Sequence, residues 1–473
     1  MDPNIPYCVV RDLNVLLNVS LRDVVQPLLG VQKHEEFGIF SDEDACLEVP
    51  DDTVPDGSIS DDPTCAVQTE IQNESDAVAQ RHDHKLSRPE AAFTICSLLL
   101  NYGILTVPSM YSLNGLIAVV PAIIAPTMCT MTVSLLDEVL QALEAQGTPQ
   151  PGYQEIGRLV GGKFLGGLMI VTNFCEVYTY PVGNVLVVVH TLASTFPWLT
   201  KNRVLFGSCC FGVLQTAVSE KSYAYVNMAS SVVVFLLIFV VIMSGVALPG
   251  RADDTHFIEN DGYHLPSALS LFVFGIVVHP MLPSIRSNMK DPTVLNSVVR
   301  GSMLVWTVTS LTFGIAVYYL FGHSTQTVAT ANVGHDIFLR PVDGMRPYSL
   351  ATAALVLIRC QFSMVTPIRP MMGYVASLMG STAVVEAGGK QAVLPSIPVM
   401  SAVFLGAYLL MDYLALLEVF CGAITQTLNA FIFPGLAHVV VCKPKGWARF
   451  LSWFSIFFGF FMATAVLLQQ CCL

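Results

Sequence analysis

The chain has 473 residues, of which 53% are hydrophobic and only 12% charged, and its mean hydropathy is +0.61. An average soluble domain has about 25% charged residues, so this composition excludes an ordinary soluble protein and indicates a chain that lies mostly in lipid. The net charge of −12 is confined to one end, because residues 1–90 hold 19 acidic and 6 basic residues whereas the remainder holds 16 and 17.

Residues 1–90 contain acidic clusters and no apolar run long enough to span a membrane. They predict a largely disordered cytosolic tail, followed by a transmembrane domain at 91–473. Within the tail, Leu28-Leu29 lies close after Asp23 and resembles an acidic dileucine sorting signal that would bind a sorting adaptor. A chance pair of leucines is the alternative. No nucleic-acid partner is predicted.

Eleven apolar runs of about 20 residues, the length that crosses a bilayer, follow the tail at 91–111, 114–137, 165–194, 203–219, 224–248, 265–285, 297–321, 348–375, 394–411, 413–438 and 447–470. With the N-terminus inside, 14 basic residues fall on inner flanks and loops and 5 on outer ones. Positive charge collects on cytosolic loops, so the asymmetry predicts a cytosolic N-terminus and an outer C-terminus. The predicted fold class is therefore an all-α polytopic membrane protein with about 11 transmembrane helices.

Two of these runs carry the same interruption. The first contains GILTVP, from Gly103 to Pro108, and the sixth contains GIVVHP, from Gly275 to Pro280. Glycine tolerates unusual dihedral angles, and proline lacks an N–H and leaves a carbonyl unpaired. In hydrocarbon such groups must face protein, water or a ligand. Broken spans at matching positions of two halves predict an inverted-repeat transporter with a binding site near the bilayer midplane. Ordinary kinks are the alternative.

Five stretches, taken in order, resemble the amino acid/auxin permease family: NYGILTVPSMYSLNG, GYQEIGRLVGGKF, FVFGIVVHPMLPSIRSNMKDP, TPIRP and ALLEVFCGAITQTLNAFIFPGLAHV. The resemblance covers about residues 91–470, and the long acidic tail is similar to the branch that holds the vesicular inhibitory amino acid transporters. It implies a fold like that of the bacterial leucine transporter, with two inverted five-helix repeats, an extra helix, and broken helices 1 and 6. It also implies amino acid transport by alternating access.

The resemblance further implies a substrate site on the two broken spans. The backbone from Asn101 to Thr106 would meet the carboxylate and ammonium of the substrate, and Phe272, Phe274 and Gly275 would form the facing wall. The site residues predicted on the first span are Ser97, Asn101, Tyr102, Gly103, Ile104, Leu105 and Thr106.

The coupling ion is predicted from departures from the family pattern. Sodium-coupled members commonly have asparagine where Ser97 stands and threonine near Cys360. A thiol is a poor sodium ligand, so proton coupling or uncoupled exchange is favoured over sodium. No cofactor and no metal site are predicted.

Three titratable residues within the runs are candidates for proton coupling, because burying charge in lipid costs several kcal/mol. Glu176 either relays protons or pairs with a base. Arg359 either belongs to a structural ion pair, with Glu176 or Glu418, or neutralises an anionic substrate. His279 either exchanges a proton or is a hydrogen-bonded structural histidine.

The sequence therefore predicts a secondary active transporter of amino acids, with small neutral ones favoured, and no enzyme motif competes. The alternative is an amino-acid-binding nutrient sensor that signals through the cytosolic tail. A vacuolar, lysosomal or vesicular membrane is favoured over the plasma membrane.

Overall fold

The computed structural model describes residues 85–148, 151–218, 220–248, 255–364, 367–369, 371–372, 375 and 393–471, with the side chains of 220–228 excepted. The predicted tail up to residue 84, including the Leu28-Leu29 pair, lies outside these ranges. The tail and its sorting signal therefore stay predictions.

The helices are numbered α1 to α14 in chain order: Arg88–Leu99, Val107–Asn114, Val119–Ala145, Tyr153–Thr195, Lys201–Gln215, Glu220–Ala247, Leu265–Ile276, Leu282–Ser287, Leu295–Phe321, Arg346–Ser363, Val393–Leu409, Leu414–Cys421, Phe433–Val441 and Gly446–Cys471. Short 3₁₀ turns at Tyr102–Leu105 and His279–Met281 lie between α1 and α2 and between α7 and α8. Two π-helical segments, Gly422–Gln426 and Leu428–Ile432, join α12 to α13.

This architecture confirms the prediction of an all-α membrane protein. Over the described ranges, β structure is limited to two isolated bridges. Seven helical segments there are long and apolar enough to cross a membrane, and Val393–Leu409 is a shorter apolar helix. Each of the eleven predicted runs overlaps a helix in its described part. The number of spans and the inverted repeat stay predictions.

The first broken span is interrupted because side chains replace the helical hydrogen bonds. Helix α1 ends at Leu99, and Asn101 takes an extended conformation with ψ of −172°. Its Oδ1 accepts a hydrogen bond from the Gly103 N–H at 2.7 Å, and its Nδ2 donates to the Leu98 carbonyl at 3.1 Å. Pro108 lies in the first turn of α2, where a missing N–H breaks no bond. The Leu98 carbonyl and the Gly103 N–H therefore keep hydrogen-bond partners where the chain passes from one helix to the next.

The second broken span is interrupted by proline. A continuing helix would need the N–H of residue 280 to bond the carbonyl of Ile276, and Pro280 has no N–H and would clash with that carbonyl. Helix α7 ends at Ile276, and Val277 is extended with ψ of 122°. The chain resumes in the 3₁₀ turn at His279–Met281.

Helix α4 also has two parts. Gly161 and Gly162 lie off the helical conformation, and Gly162 has a φ of +66°, a region that favours glycine. The short helical turn before this point corresponds to the GYQEIGRLVGG stretch, and the long part after it contains Glu176. Helix α10 packs against α4 and α6, which brings Arg359 to the first break.

Candidate functional site

A cavity lies where the two breaks meet. The space open to the centres of water molecules inside it is about 50 Å³, which at about 10–15 Å³ per water holds a few waters. Both broken spans, α4 and α10 contribute to its wall, together with Pro367. The lining residues are Ser97, Leu98, Asn101, Glu176, Tyr180, Asn184, Val277, Val278, Met281, Arg359, Ser363 and Pro367. Four of the predicted site residues are among them: Ser97, Asn101, Glu176 and Arg359.

Helical spacing places the α4 residues on the cavity. Glu176, Tyr180 and Asn184 are four residues apart and share one face of the helix. Arg359 and Ser363 repeat this spacing on α10, and the Ser363 hydroxyl contacts Asn184 Oδ1 at 3.2 Å. One face each of α4 and α10 therefore forms most of the polar wall.

Arg359 caps the first break. Its Nη2 donates to the carbonyls of Ser97 at 3.0 Å and Leu100 at 2.7 Å, and its Nη1 donates to Ser230 Oγ at 2.9 Å. The last carbonyls of a helix have no partner within the helix and carry partial negative charge. A fully charged guanidinium with five donors satisfies them and offsets that charge. Arg359 thus ties α10 to the end of α1 and to α6.

Glu176 is buried and bonded to a neutral amide. Its Oε2 accepts from Asn429 Nδ2 at 2.7 Å, and Asn429 Oδ1 accepts from Thr172 Oγ1 at 2.9 Å. The Asn429 carbonyl also accepts a hydrogen bond from the Tyr153 hydroxyl. Within the described ranges Glu176 forms no ion pair with a base. Asn429 belongs to the π-helical segment Leu428–Ile432, so this hydrogen bond joins that segment to a residue that lines the cavity. π-Helical segments are frequent at functional sites.

Tyr102–Leu105 form the 3₁₀ turn at the break and Thr106 follows it; all five residues are buried and none is among the cavity-lining residues. The Tyr102 hydroxyl donates to the Thr179 carbonyl at 3.3 Å, and its ring lies directly on Gly183, where a Cβ would be 2.0 Å from the ring. Thr106 Oγ1 donates to the Gly103 carbonyl at 2.8 Å. Ile104 and Leu105 are buried in the apolar core.

The predicted facing wall packs on the first break without lining the cavity. A Cβ on Gly103 would lie 3.5 Å from Gly275 Cα, so the two glycines let the broken spans approach closely. The Phe274 ring lies 5.8 Å from the Tyr102 ring, centroid to centroid, and Phe272 makes an edge contact with Trp306 at 6.3 Å. A Cβ on Gly275 would meet the Trp306 ring at 3.2 Å. These three residues stay predictions as substrate contacts.

His279 is not among the residues that line the cavity. It is fully buried, and its Nε2 lies 2.9 Å from Thr132 Oγ1 on α3. The Thr132 hydroxyl also lies 3.1 and 3.0 Å from the carbonyls of Met128 and Cys129. The Thr132 hydroxyl has one proton, which it donates to one of these carbonyls, so its oxygen accepts a hydrogen bond from His279 Nε2. This network assigns the ring proton of His279 to Nε2. This geometry is that of a hydrogen-bonded structural histidine.

Sequence reasoning missed Tyr180, Asn184 and Ser363, and treated Glu418 only as a partner for Arg359. The sequence signal for the first three is their helical spacing, since they follow Glu176 or Arg359 at steps of four residues. Glu418 is fully buried beside Thr106, whose proton goes to the Gly103 carbonyl. Neither carboxylate oxygen of Glu418 therefore has a hydrogen-bond partner within the described part of the chain.

This arrangement suits a small zwitterion. The cavity lining combines apolar residues with a guanidinium, a carboxyl group, amides and hydroxyls, and it includes residues of both broken spans. Cys360 is buried, and its thiol is unsuited to sodium. Among the described residues that line the cavity there is no cluster of His, Cys, Asp or Glu that could hold a metal ion.

Comparison with known proteins gives one family and several distant relatives. The family described as "Transmembrane amino acid transporter protein" matches residues 84–471. The vesicular GABA transporter of Caenorhabditis elegans is 23% identical over 371 residues, which cover 75% of this chain and 73% of that protein. The amino acid transporters AVT1I and AVT1D of Arabidopsis thaliana are 24% and 22% identical over 259 and 370 residues, or 52% and 74% of this chain. The aligned part covers 62% of each plant protein.

Proposed function

The chain belongs to the transmembrane amino acid transporter family, and from that premise we propose that it moves small neutral amino acids across an endomembrane by alternating access. One observation supports this function most directly. Residues of both broken spans line a single cavity, with Ser97 and Asn101 on one side and Val277 and Val278 on the other. A site between two broken helices can be exposed to either side of the membrane in turn.

The proposed architecture has eleven spans arranged as in the bacterial leucine transporter. The paired breaks, the helical structure on each predicted run and the family membership support it. In this arrangement α1 and α2 form the first span and α7 and α8 the sixth. The helix ends at the breaks would bind the substrate backbone, ammonium toward carbonyl ends and carboxylate toward N–H ends.

Arg359 has a positioning role in this proposal. Its Nη2 hydrogen bonds hold the end of α1, so its positive charge lies beside the cavity and these two partners are neutral carbonyls. A zwitterion adds no net charge to a wall that already holds one base and one acid. The small free volume and the bulky neighbours Tyr180 and Met281 favour a short side chain.

We propose that Glu176 carries the coupling proton. It lines the cavity, and its described partner is the neutral Asn429 amide, which can bond either the carboxylate or the carboxylic acid. Protonation from one side would let the loaded protein reorient without a buried negative charge. Release on the other side would return the carboxylate, so that one proton moves with or against the substrate.

The test is transport by purified protein in sealed vesicles. A panel of the standard amino acids, with GABA added because one relative carries that name, is offered under a proton gradient, a sodium gradient and neither. We expect uptake of small neutral members and dependence on the proton gradient. If none of the compounds is transported under any of the three conditions, the proposed function is wrong. Saturable binding without flux would favour the sensor alternative.

A matched pair of variants tests the coupling residue. Glu176→Gln keeps a hydrogen bond to Asn429 and cannot ionise, so we expect exchange to survive and gradient-driven accumulation to disappear. Glu155→Gln makes the same change at an exposed position of the same helix, where the carboxylate accepts from the Gly152 N–H at 2.9 Å. The control should transport like the parent. Undiminished accumulation by Glu176→Gln would exclude Glu176 as the proton carrier.

A further inference from the structure

Three potential metal ligands lie together outside the cavity lining. They are His256 and Glu259 in the loop before α7 and His323 in the 3₁₀ turn after α9. Their ligand atoms all lie within 4.8 Å of one another. Among the described residues, these three side chains form the one group of histidine, cysteine or acidic residues that is spaced closely enough to hold a metal ion. With the predicted cytosolic N-terminus, both elements lie on the outer face.

The spacing is close to that of a bound metal. His323 Nε2 and Glu259 Oε1 are 3.1 Å apart. Tetrahedral Zn²⁺ with bonds of about 2.0–2.1 Å holds its ligand atoms roughly 3.4 Å apart, so this directly contacting pair would have to open only slightly to bind the ion. The two imidazole rings have centroids 6.3 Å apart, and both side chains are exposed enough to rotate. The His256 ligand atom lies within 4.8 Å of the other two, and binding would require its exposed side chain to rotate closer.

The chemistry of the set selects zinc. Two imidazoles and one carboxylate suit Zn²⁺, whereas Ca²⁺ and Mg²⁺ prefer oxygen ligands alone. Glu259 is also held in place, because the Tyr318 hydroxyl donates to its Oε1 at 3.2 Å, and the same hydroxyl accepts from the backbone N–H of His256 at 2.9 Å. Outer partners of this kind orient the ligands of metal sites.

The loop that carries two of the ligands is joined to the first broken span. The N–H groups of Leu116 and Ile117 donate to the carbonyls of His256 and Phe257 at 3.2 and 2.9 Å, and the Glu259 N–H donates to the Asn114 carbonyl at 2.9 Å. A metal bridging this loop to His323 would therefore link the outer end of α2, the segment before α7 and the end of α9.

We propose that His256, Glu259 and His323 bind Zn²⁺ on the outer face, and that the bound ion slows transport by holding these outer ends together. The second half rests on the proposed function, since alternating access requires the outer ends of the broken spans to move relative to neighbouring helices, and the ion would tie them to the end of α9. Zinc that binds only the closed outer face shifts the equilibrium toward it. The initial rate should fall about tenfold at free zinc near ten times its Kd.

Direct zinc titration tests the site without any need for transport. The purified full-length chain is titrated with ZnCl₂ at neutral pH by calorimetry, and again in competition with a chromogenic zinc indicator. We expect one site in the parent. His256→Gln, Glu259→Gln and His323→Gln should each weaken zinc binding about tenfold or more.

The matched control is His264→Gln. It makes the same change in the same loop, at a histidine whose Nδ1 lies 3.1 Å from Gln469 Nε2. It should bind zinc like the parent. Absence of zinc binding in the parent, or unchanged binding in all three ligand variants, overturns the site and leaves a hydrogen-bonded loop contact.

The effect on transport is measured separately, with zinc added on either side of vesicles that contain the parent or His323→Gln. Inhibition of the parent from the outer face alone, relieved in the variant, supports the gating half. Site-specific zinc binding without inhibition retains the site and overturns the gating. Vesicles with no flux at all defeat the proposed function, while the titration still decides whether the metal site exists.

Discussion

The two broken spans share the pattern Gly-Ile-x-x-x-Pro, yet their exposed backbone groups are satisfied in different ways. At the first break, Asn101 bonds on both sides of the interruption and Arg359 donates to two carbonyls at the end of α1. At the second, the Tyr180 hydroxyl donates to the Val277 carbonyl at 3.2 Å, and the His279 ring bonds Thr132. The first break is held by its own polar residues and a buried cation, and the second by neutral groups on neighbouring helices.

This difference has an energetic consequence. Hydrogen bonds from a charged donor contribute about 1.5–3 kcal/mol each, and those between neutral groups about 1 kcal/mol. We therefore expect the first break to be the rigid element of the pair and the second to rearrange more easily. Four substitutions test this ranking, from the largest expected effect to the smallest.

Arg359→Met should have the largest effect. It leaves the carbonyls of Ser97 and Leu100 without their described donor, and we expect a loss of about 3 kcal/mol or more of stability, together with loss of transport. Thermal melting in detergent, followed by size-exclusion chromatography, measures it. Arg300→Met, at an exposed position of α9, is the control and should melt like the parent. An unchanged melting temperature in Arg359→Met would contradict the capping role.

Asn101→Ala removes the side chain that bridges the first break. Loss of such a cap costs about 1–2 kcal/mol, and because Asn101 lines the cavity, substrate affinity should fall as well. Asn101→Ser keeps an oxygen that can accept from the Gly103 N–H, so it should recover most of the stability. If alanine and serine variants melt alike, the cap is not what stabilises the break. Substrate-induced thermal shifts report the affinity.

Tyr180→Phe tests the second break. The missing hydroxyl leaves the Val277 carbonyl unpaired, and we expect a loss of about 1 kcal/mol with weaker substrate binding. Tyr178→Phe is matched, since the Tyr178 hydroxyl donates to the Ala402 carbonyl at 2.8 Å, away from the cavity. It should cost similar stability and leave substrate affinity unchanged. Equal affinities in both variants would separate Tyr180 from the site.

His279→Gln should have the smallest effect. The glutamine amide can replace the ring as the partner of Thr132, so stability and transport should stay near those of the parent. The dependence of transport on pH, between about 5 and 8 where an unperturbed histidine titrates, should also be retained. A flattened profile would instead assign His279 to proton exchange and transfer part of the coupling role from Glu176.

Several features were predictable from local sequence alone. The family resemblance and the absence of enzyme function are confirmed by the family match and the relatives, which are transporters. Both breaks lie at the Gly-Ile-x-x-x-Pro stretches, where the α-helix stops before the proline and a 3₁₀ turn follows. This was predictable because backbone hydrogen bonding in lipid is decided within one or two helical turns. Ser97, Asn101, Glu176 and Arg359, which were predicted separately as substrate-binding and proton-coupling residues, line one cavity, and their roles stay predictions.

What only the tertiary structure decided is the partner of each of these groups. Arg359 reaches the end of α1 across 259 residues of sequence, and Glu176 meets Asn429 across 253. Hydropathy and helical periodicity describe which face of a helix is apolar, but not which helix packs against it. The same limit applies to His256, Glu259 and His323, whose loop and helix end are brought within a metal's reach by the packing of α9. Composition and periodicity therefore determined a membrane protein with two broken spans, and helix packing decided which polar groups meet there.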